Sequence, residues 1–317
     1  MNMSIRKQQP STLQEAIVYF SDPVNCREYL VARRWPDGVA CPRCGSKDVL
    51  FLENYNRWHC RGGHAAPQFT LKTGTIFEDS PLGLNKWLTA MWQVVNCKNG
   101  VSSYEIHRAI GVTQKSAWFM DHRIRLALKK GSFAKLTGEV EVDESYIGGK
   151  AINMHLSKRR ARIKSTGPKD KVPVLGFLQR GGEVRAAMVP STKRKALMPR
   201  IETHVAEGSA VYTDALQSYN KLAERYGHQV IDHAIEYVRG RVHTNGLENF
   251  WSLLKRTIRG TYVSVEPFHL DRYLDEQTYR YNHRELTDGE RFSMAVSNVV
   301  GKRVTYEQLT GNAAKQA

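Results

Sequence analysis

The sequence predicts a multi-domain α/β protein: a small metal-binding ribbon, a helical segment, and a larger α/β domain built on a mixed sheet. Three observations carry this expectation. Cys41-Pro42-Arg43-Cys44-Gly45 and Cys60-Arg61-Gly62-Gly63-His64 have the spacing of two tight turns that close on one ion. Residues 84–130 are helically periodic throughout. From Gly138 onward, short alternating stretches bounded by glycine are interleaved with amphipathic helical ones, the order expected of an α/β domain with its site at the carboxyl edge of the sheet.

Length and charge bound the rest. A chain of 317 residues with 41% hydrophobic content can bury more than one core, so two or three modules are expected. Lys and Arg outnumber Asp and Glu by 47 to 31, a formal charge of +16, which calls for a polyanionic partner, nucleic acid first. An anionic membrane surface is the competitor, but the cations are spread among Trp and Tyr instead of lining one amphipathic helix. Met1 to Pro10 has no apolar core of a signal peptide, and no run approaches the roughly 18 apolar residues of a membrane span. A cytoplasmic protein without disulfides is expected, because three of its five cysteines fall in the metal pattern.

Residues 1–35 read as a helical lead-in, with Leu13, Ile17, Phe20, Tyr29 and Leu30 at helical spacing. Residues 36–75 form the ribbon, in which Cys41, Cys44 and Cys60 would hold a structural zinc ion at about 2.3 Å. His64 is the better fourth ligand, because Cys-x3-His closes a comparable loop while His59 adjoins Cys60. A redox role for Cys-x-x-Cys would need a flanking βαβ pattern, and none is present. Cys26 and Cys97 lie in apolar helical surroundings and are expected in the core. Residues 76–136 form a helical domain whose Trp87, Leu88, Met91, Trp92 and Val95 make one stripe. Ser102 to Ile110, a turn at Gly111-Val112-Thr113, and Gln114 to Lys129 have helix-turn-helix spacing, which would present Gln114, Lys115 and Trp118 to a DNA groove. A helix pair belonging only to the core is the alternative.

Residues 137–285 form the α/β domain. Glu139 to Ile147 alternates like a strand and carries Asp143 and Glu144; a basic loop follows, with Lys150, Lys158, Arg159, Arg160, Arg162, Lys164, Lys169 and Lys171. Strands are expected at Val172 to Gln179 and Glu183 to Val189 around the Gly181-Gly182 turn, then a helix from Ala196 to Ala206. Strand Ser209 to Thr213 delivers Asp214; a helix from Ser218 to Tyr226 and a short strand near Val230 follow. The next helix has Asn245 as its cap, apolar Leu247, Phe250, Trp251, Leu254 and Ile258 on one face, and Gly260 as its stop. Its other face carries Glu248, Ser252, Lys255 and Arg259. A further helix is expected from Pro267 to Tyr281, and residues 286–317 read as a peripheral tail.

Asp143, Asp214 and Glu248 are the chemically interesting acids. Cutting and rejoining phosphodiesters requires charge neutralisation at both the attacking and the leaving oxygen. Two Mg2+ or Mn2+ ions about 3.5–4 Å apart, held by hard carboxylate oxygens, supply it. Against this, Glu248 could merely close a capping box with Asn245.

Val142-Asp143-Glu144-Ser145-Tyr146-Ile147-Gly148-Gly149, Tyr212-Thr213-Asp214 and the run from His243 through Arg256 resemble the catalytic blocks of bacterial insertion-sequence DDE transposases of the IS-fifteen-ninety-five group. The likeness extends to the ribbon and to Gly74-Thr75-Ile76-Phe77-Glu78-Asp79-Ser80. The resemblance implies a ribonuclease-H-like catalytic domain and two-metal joining of element ends. It implies Asp143, Asp214 and Glu248 as the triad and Lys255 as the partner that contacts the element end; Arg259, on the same face by spacing, is a second cation that could touch DNA phosphate. The partners implied are terminal-repeat and target duplexes, bound by a homo-oligomer at the nucleoid. Two rival functions remain: a ribonuclease-H-like nuclease that does not rejoin ends, and a zinc-ribbon DNA-binding regulator without catalysis.

Overall fold

The computed structural model describes residues 9–129, 134–149, 155–163, 170–214, 217–231 and 243–311. Lys150, Lys164 and Lys169 of the basic loop, and residues 1–8 that were read for a signal peptide, lie outside the described residues. The chain divides into two units, residues 1–129 with 283–317, and residues 130–282.

The first unit opens with α1 (Leu13–Ser21) and α2 (Pro23–Arg34). Thr12 and Glu15 cap α1 reciprocally, and Asp22 caps α2 ahead of Pro23, whose missing N–H is harmless at a first helical position. The ribbon follows as three antiparallel strands, β1 (Val49–Leu52), β2 (Arg57–Cys60) and β3 (Gln68–Phe69). Its core is aromatic, with Trp58 stacked on Phe69 at 5.8 Å and tilted against Phe51 at 4.9 Å. Helix α3 (Leu84–Asn96) buries the predicted stripe of Trp87, Leu88, Met91, Trp92 and Val95. Cys97, expected in the core, is exposed: it is the residue that ends α3, where the apolar face no longer reaches it. Cys26 is buried, as expected.

The helix-turn-helix spacing gives α4 (Ser103–Ile110) and α5 (Gln114–Leu128). Ser102 and Glu105 cap α4, Gly111 ends it at φ 61°, and the Thr113 hydroxyl caps α5. Beyond its first turn α5 buries Ala117, Met120, Asp121, His122, Arg123 and Ile124, so it is a core helix for most of its length.

In the second unit, β4 (Glu139–Ile147) lies at the centre of a five-stranded sheet. After the short α6 (Leu156–Arg162) come β5 (Val172–Gln179), β6 (Val184–Met188), α7 (Arg194–His204), β7 (Ala210–Asp214) and β8 (Gly227–Ile231). The strand order is β6-β5-β4-β7-β8. The first three strands are antiparallel, and β7 and β8 run parallel to β4. A meander of three strands followed by two parallel ones is the mixed, ribonuclease-H-like order. Strand alternation sends Val140, Val142, Leu175 and Phe177 into one core with α7, and Val174 and Leu178 into another. The second core is covered by α8 (Asn245–Thr257) through Leu247, Phe250, Trp251 and Leu254. The helix expected from Ser218 to Tyr226 is instead two single 3-10 turns, Gln217–Tyr219 and Leu222–Glu224. Tyr219, Leu222 and Tyr226 are all buried in the core beside α7, so tertiary packing sets the two turns. Gly260 does not stop α8 either; the backbone continues into a π-turn over Ile258–Tyr262. The next helix, α9 (Leu270–Asn282), starts after a 3-10 turn at Pro267–His269.

The expected peripheral tail is part of the first unit. There α10 (Asp288–Ser297) buries Phe292 against Trp92, Phe20 and Tyr29, with centroids 4.9–5.7 Å apart. The backbone at residues 299–301 hydrogen-bonds to that at 74–76, and α11 (Tyr306–Thr310) ends the described chain. The apolar positions of this stretch are few and spread among polar ones, so its packing depends on a surface supplied by distant residues. Among the described residues, no helix is long and apolar enough to cross a membrane.

Candidate active site and metal centre

Among the described residues two clusters of ligand-type side chains form, one in each unit. In the ribbon, one ligand atom each from Cys41, Cys44, Cys60 and His64 lies within 4.8 Å of all the others. Cys41 Sγ stands 3.3 Å from His64 Nε2, and Cys44 Sγ 3.5 Å from Cys60 Sγ. Cys41 and Cys44 sit in the turn before β1, Cys60 ends β2, and His64 lies in the connection to β3. Gly62 keeps the cradle open, since a Cβ there would fall 3.1 Å and 3.2 Å from the Cys44 and Cys60 sulfurs. Burial pushes the Cys41 thiol up, but the backbone N–H groups of Arg43 and Cys44 and the His64 ring outweigh it and bring its pKa down to about 6. A thiol held that way is predisposed to the thiolate a metal requires. Three soft sulfurs and one imidazole in this arrangement could hold one tetrahedral zinc. All five cysteines are free thiols.

The second cluster follows from strand register. Glu141 on β4 pairs in parallel with Tyr212 on β7, and two residues further on the same register sets Asp143 beside Asp214, where β7 ends. Ligand oxygens of Asp143, Glu144 and Asp214 lie within 4.8 Å of one another. Asp143 accepts from Trp251 Nε1 at 2.9 Å and from the Glu144 backbone N–H at 2.8 Å. Glu144 accepts a hydrogen bond from the Tyr219 hydroxyl. Burial first, then the charge of Asp214, pushes the Asp143 carboxyl up to about 6; the bonds from Trp251 and Glu144 oppose this, and Glu248 adds a smaller push upward. Burial likewise raises Glu144 to about 8 against the pull of the Tyr219 hydroxyl. Carboxylates crowded in this way repel one another and favour a divalent cation with a preference for oxygen ligands.

Glu248 does not belong to that cluster. It is exposed on the first turn of α8, three residues before Trp251. The capping box once open to it does not form. Thr244, not Asn245, is the N-cap residue, and its side chain makes no capping bond. The cap comes from β4: Glu141 Oε2 accepts the Leu247 N–H at 3.0 Å. Glu141 is 1% exposed and is balanced by Arg180, whose Nε donates to it at 3.1 Å. Arg180 also donates to the His243 carbonyl at 2.9 Å and lies over the Tyr212 ring at 4.4 Å. Two glycines allow this packing. A Cβ at Gly176, opposite Asp143, would fall 2.5 Å from the Trp251 ring, and one at Gly246 would fall 2.8 Å from Glu141 Oε2.

Lys255 is partly buried on α8, close enough to Asp143, Arg259 and Lys171 to feel their charges; burial first, then Arg259, lowers its pKa. Arg259 is exposed. In the first unit Lys115 is exposed with its ammonium 4.8 Å from the Tyr306 ring centroid, whereas Gln114 donates to Ser103 Oγ at 2.9 Å and so serves the helix pair. Trp118 packs edge-on against His122 at 4.6 Å. Glu141, Arg180, Tyr219 and Gly176 were not singled out by the sequence. Glu141 reads locally as one more polar residue of an alternating strand, and Arg180 lies 39 residues away.

Comparison with known proteins agrees in chain order with these two clusters. A family described as transposase zinc-ribbon domain matches residues 22–63, and one described as ISXO2-like transposase domain matches residues 135–282. An uncharacterized protein in transposable element ISH50 of Halobacterium salinarum is 28% identical over 236 residues, covering 70% of this chain and 79% of that one. An uncharacterized transposase-like protein of Haemophilus influenzae is 30% identical over 105 residues, 33% of this chain and 85% of its own length. No solved structure matches. With both domains matched in order and most of a transposase-like relative covered, the chain belongs to the ISXO2-like family of insertion-sequence transposases, the IS-fifteen-ninety-five group.

Proposed function

We propose that this transposase cuts DNA strands at the terminal repeats of its insertion sequence and joins them to target duplex in a divalent-metal-dependent reaction. The observation that carries this reading is the acidic cluster at the end of β7, where Asp143 and Asp214 stand side by side with Glu144. Two Mg2+ or Mn2+ ions, when bound, neutralise charge at the attacking and leaving oxygens. Asp143 and Asp214 are the principal ligands, and Glu248 completes the set from α8. Trp251 fixes the rotamer of Asp143 by its hydrogen bond, so the carboxylate that serves the reaction is oriented in advance. Lys255 on α8 and Arg259 in the π-turn that follows it, four residues apart, hold the scissile phosphate or its neighbour, and Lys115 makes a backbone contact from the first unit. The ribbon binds one zinc through Cys41, Cys44, Cys60 and His64 and helps to recognise the element end. The protein acts at the nucleoid as a homo-oligomer that brings two ends together.

The test is direct. Purified protein is incubated with Mg2+ and duplex spanning the flanks of its own gene, and strands are sequenced for new junctions. Joined ends support the proposal. Cleavage without joining would reassign the chain as a nuclease, and salt-sensitive binding without cleavage in Mg2+ or Mn2+ would make it a regulator.

A further inference from the structure

After α8 the backbone widens into the π-turn Ile258–Tyr262 and then reverses at Val263, with φ 59° and ψ −54°. The Ser264 N–H donates to the Tyr262 carbonyl at 2.6 Å, closing a γ-turn of the positive-φ hand. A β-branched residue is strained there, and glycine would adopt the turn freely. Yet the Val263 side chain is 74% exposed, so packing within the chain does little to offset the strain. Phe268, on the same connection to α9, is 63% exposed. Lys255 and Arg256 lie at the end of α8 and Arg259 within the π-turn, and the connection adds one exposed carboxylate, Glu266. Lys255 and Arg259 repel each other, a strain that a polyanion relieves. Strained backbone held against no internal reward points to a role outside the chain.

We propose that Val263 is an apolar wedge that enters the base stack of duplex DNA held by the cations of α8 and unstacks one step beside the candidate active site. Cations that fix the phosphates while a projecting apolar side chain opens a base step are the general physics of DNA-kinking proteins. The positive flank favours DNA over a second copy of this basic chain. This inference rests on the DNA reading above.

The test uses the full-length protein and duplexes from the flanks of its own gene, each with 2-aminopurine at a different position, in Ca2+. Fluorescence should rise on binding at one position or two adjacent ones. Val263→Gly should keep or raise the melting temperature and keep the salt-dependent binding but lose the rise, and Val263→Leu should keep the melting temperature, the binding and the rise. A full rise with Val263→Gly overturns the wedge, as does a changed sedimentation mass of the free Val263→Gly protein, which would mark the turn as a contact between copies. Wild-type binding without a rise at any position overturns the wedge alone. Failure of the wild type to bind duplex overturns the DNA reading and the wedge with it.

Discussion

Asp143→Asn should make the protein more stable at pH 8 in the absence of Mg2+ and Mn2+, although it removes one of the two principal ligands proposed for the metal. The Asp143 carboxyl ionises near pH 6 in the folded state instead of 3.8. At about 1.4 kcal/mol per pH unit, the folded state carries a penalty of roughly 3 kcal/mol once the group is charged in both states. A carboxyl whose folded pKa is raised contributes stability that is fully present at pH values below about 3.8 and is lost as pH rises through about 6. Asparagine has no charge to lose, but its single oxygen cannot accept from both Trp251 and the Glu144 N–H, a loss of about 1 kcal/mol. The net effect is a gain of about 2 kcal/mol at pH 8 that shrinks to about 0.5 kcal/mol at pH 5 and becomes a loss of about 1 kcal/mol near pH 3. For a unit of this size the gain corresponds to a melting shift of about 4–8 °C. Thermal unfolding of both proteins at pH 5 and pH 8, with ribbon zinc retained, measures this. Added Mg2+ should then stabilise the wild type and leave Asp143→Asn nearly unchanged. A variant no more stable than wild type at pH 8 would refute the account of a crowded, desolvated carboxylate.

Other expectations follow from the same geometry. Zinc measured by atomic absorption should be about one per chain, and Cys44→Ser should fall well below that while the acidic cluster still responds to Mg2+. Glu248→Gln should lower strand cleavage by orders of magnitude while the protein stays folded, since no capping box with Asn245 forms; an active variant would leave Glu144 as the third ligand. Neutralising Lys255 or Arg259 should make the slope of log K against log salt shallower by about one; an unchanged slope in both would put this helix face away from DNA. Gly176→Ala should cost about 1–3 kcal/mol in denaturant titrations, because its Cβ would overlap the Trp251 ring.

What was legible in the sequence was local. The ribbon ligands lie in two short turns, and Cys41-x-x-Cys44-Gly45 with Cys60-x3-His64 states its own geometry. Helices α3 to α5 appeared nearly as predicted, because their apolar period and capping residues are contained within each stretch. The convergence of Asp143 and Asp214 could be expected from strand order, but their adjacency comes from the parallel register that pairs Glu141 with Tyr212 and so carries mid-strand Asp143 to the last residue of β7. Features that depended on distant partners were not legible. Nothing local to Asp288–Ser297 says that Phe292 meets Trp92, and nothing local to Gln217–Glu224 says that tertiary contacts hold two turns instead of a helix. The first helical residue of α8 was misread because Asn245 is a good cap by type, whereas the cap is Glu141.

The origin of this cap bears on how the site is built. A side-chain cap from Asn245 would have anchored α8 to itself and left its placement over the sheet to apolar packing alone. A cap from Glu141 anchors α8 to β4, two residues before Asp143 on the same face of the strand. Trp251 makes a second tie from α8 to Asp143 itself, and Gly176 on β5 leaves the space that lets the indole reach it. Glu248 sits between the two ties, one residue after Leu247 and three before Trp251, so its position along the helix is set against the strand that carries Asp143. A charged pair such as Glu141 and Arg180 is a weak source of stability when buried, because desolvation offsets most of the attraction. Its geometric role gives it a better reason to be there: an apolar residue at position 141 could fill the space but could not accept the Leu247 N–H, and α8 would be free to slide relative to the acids by the fractions of an ångström that metal-dependent chemistry does not tolerate.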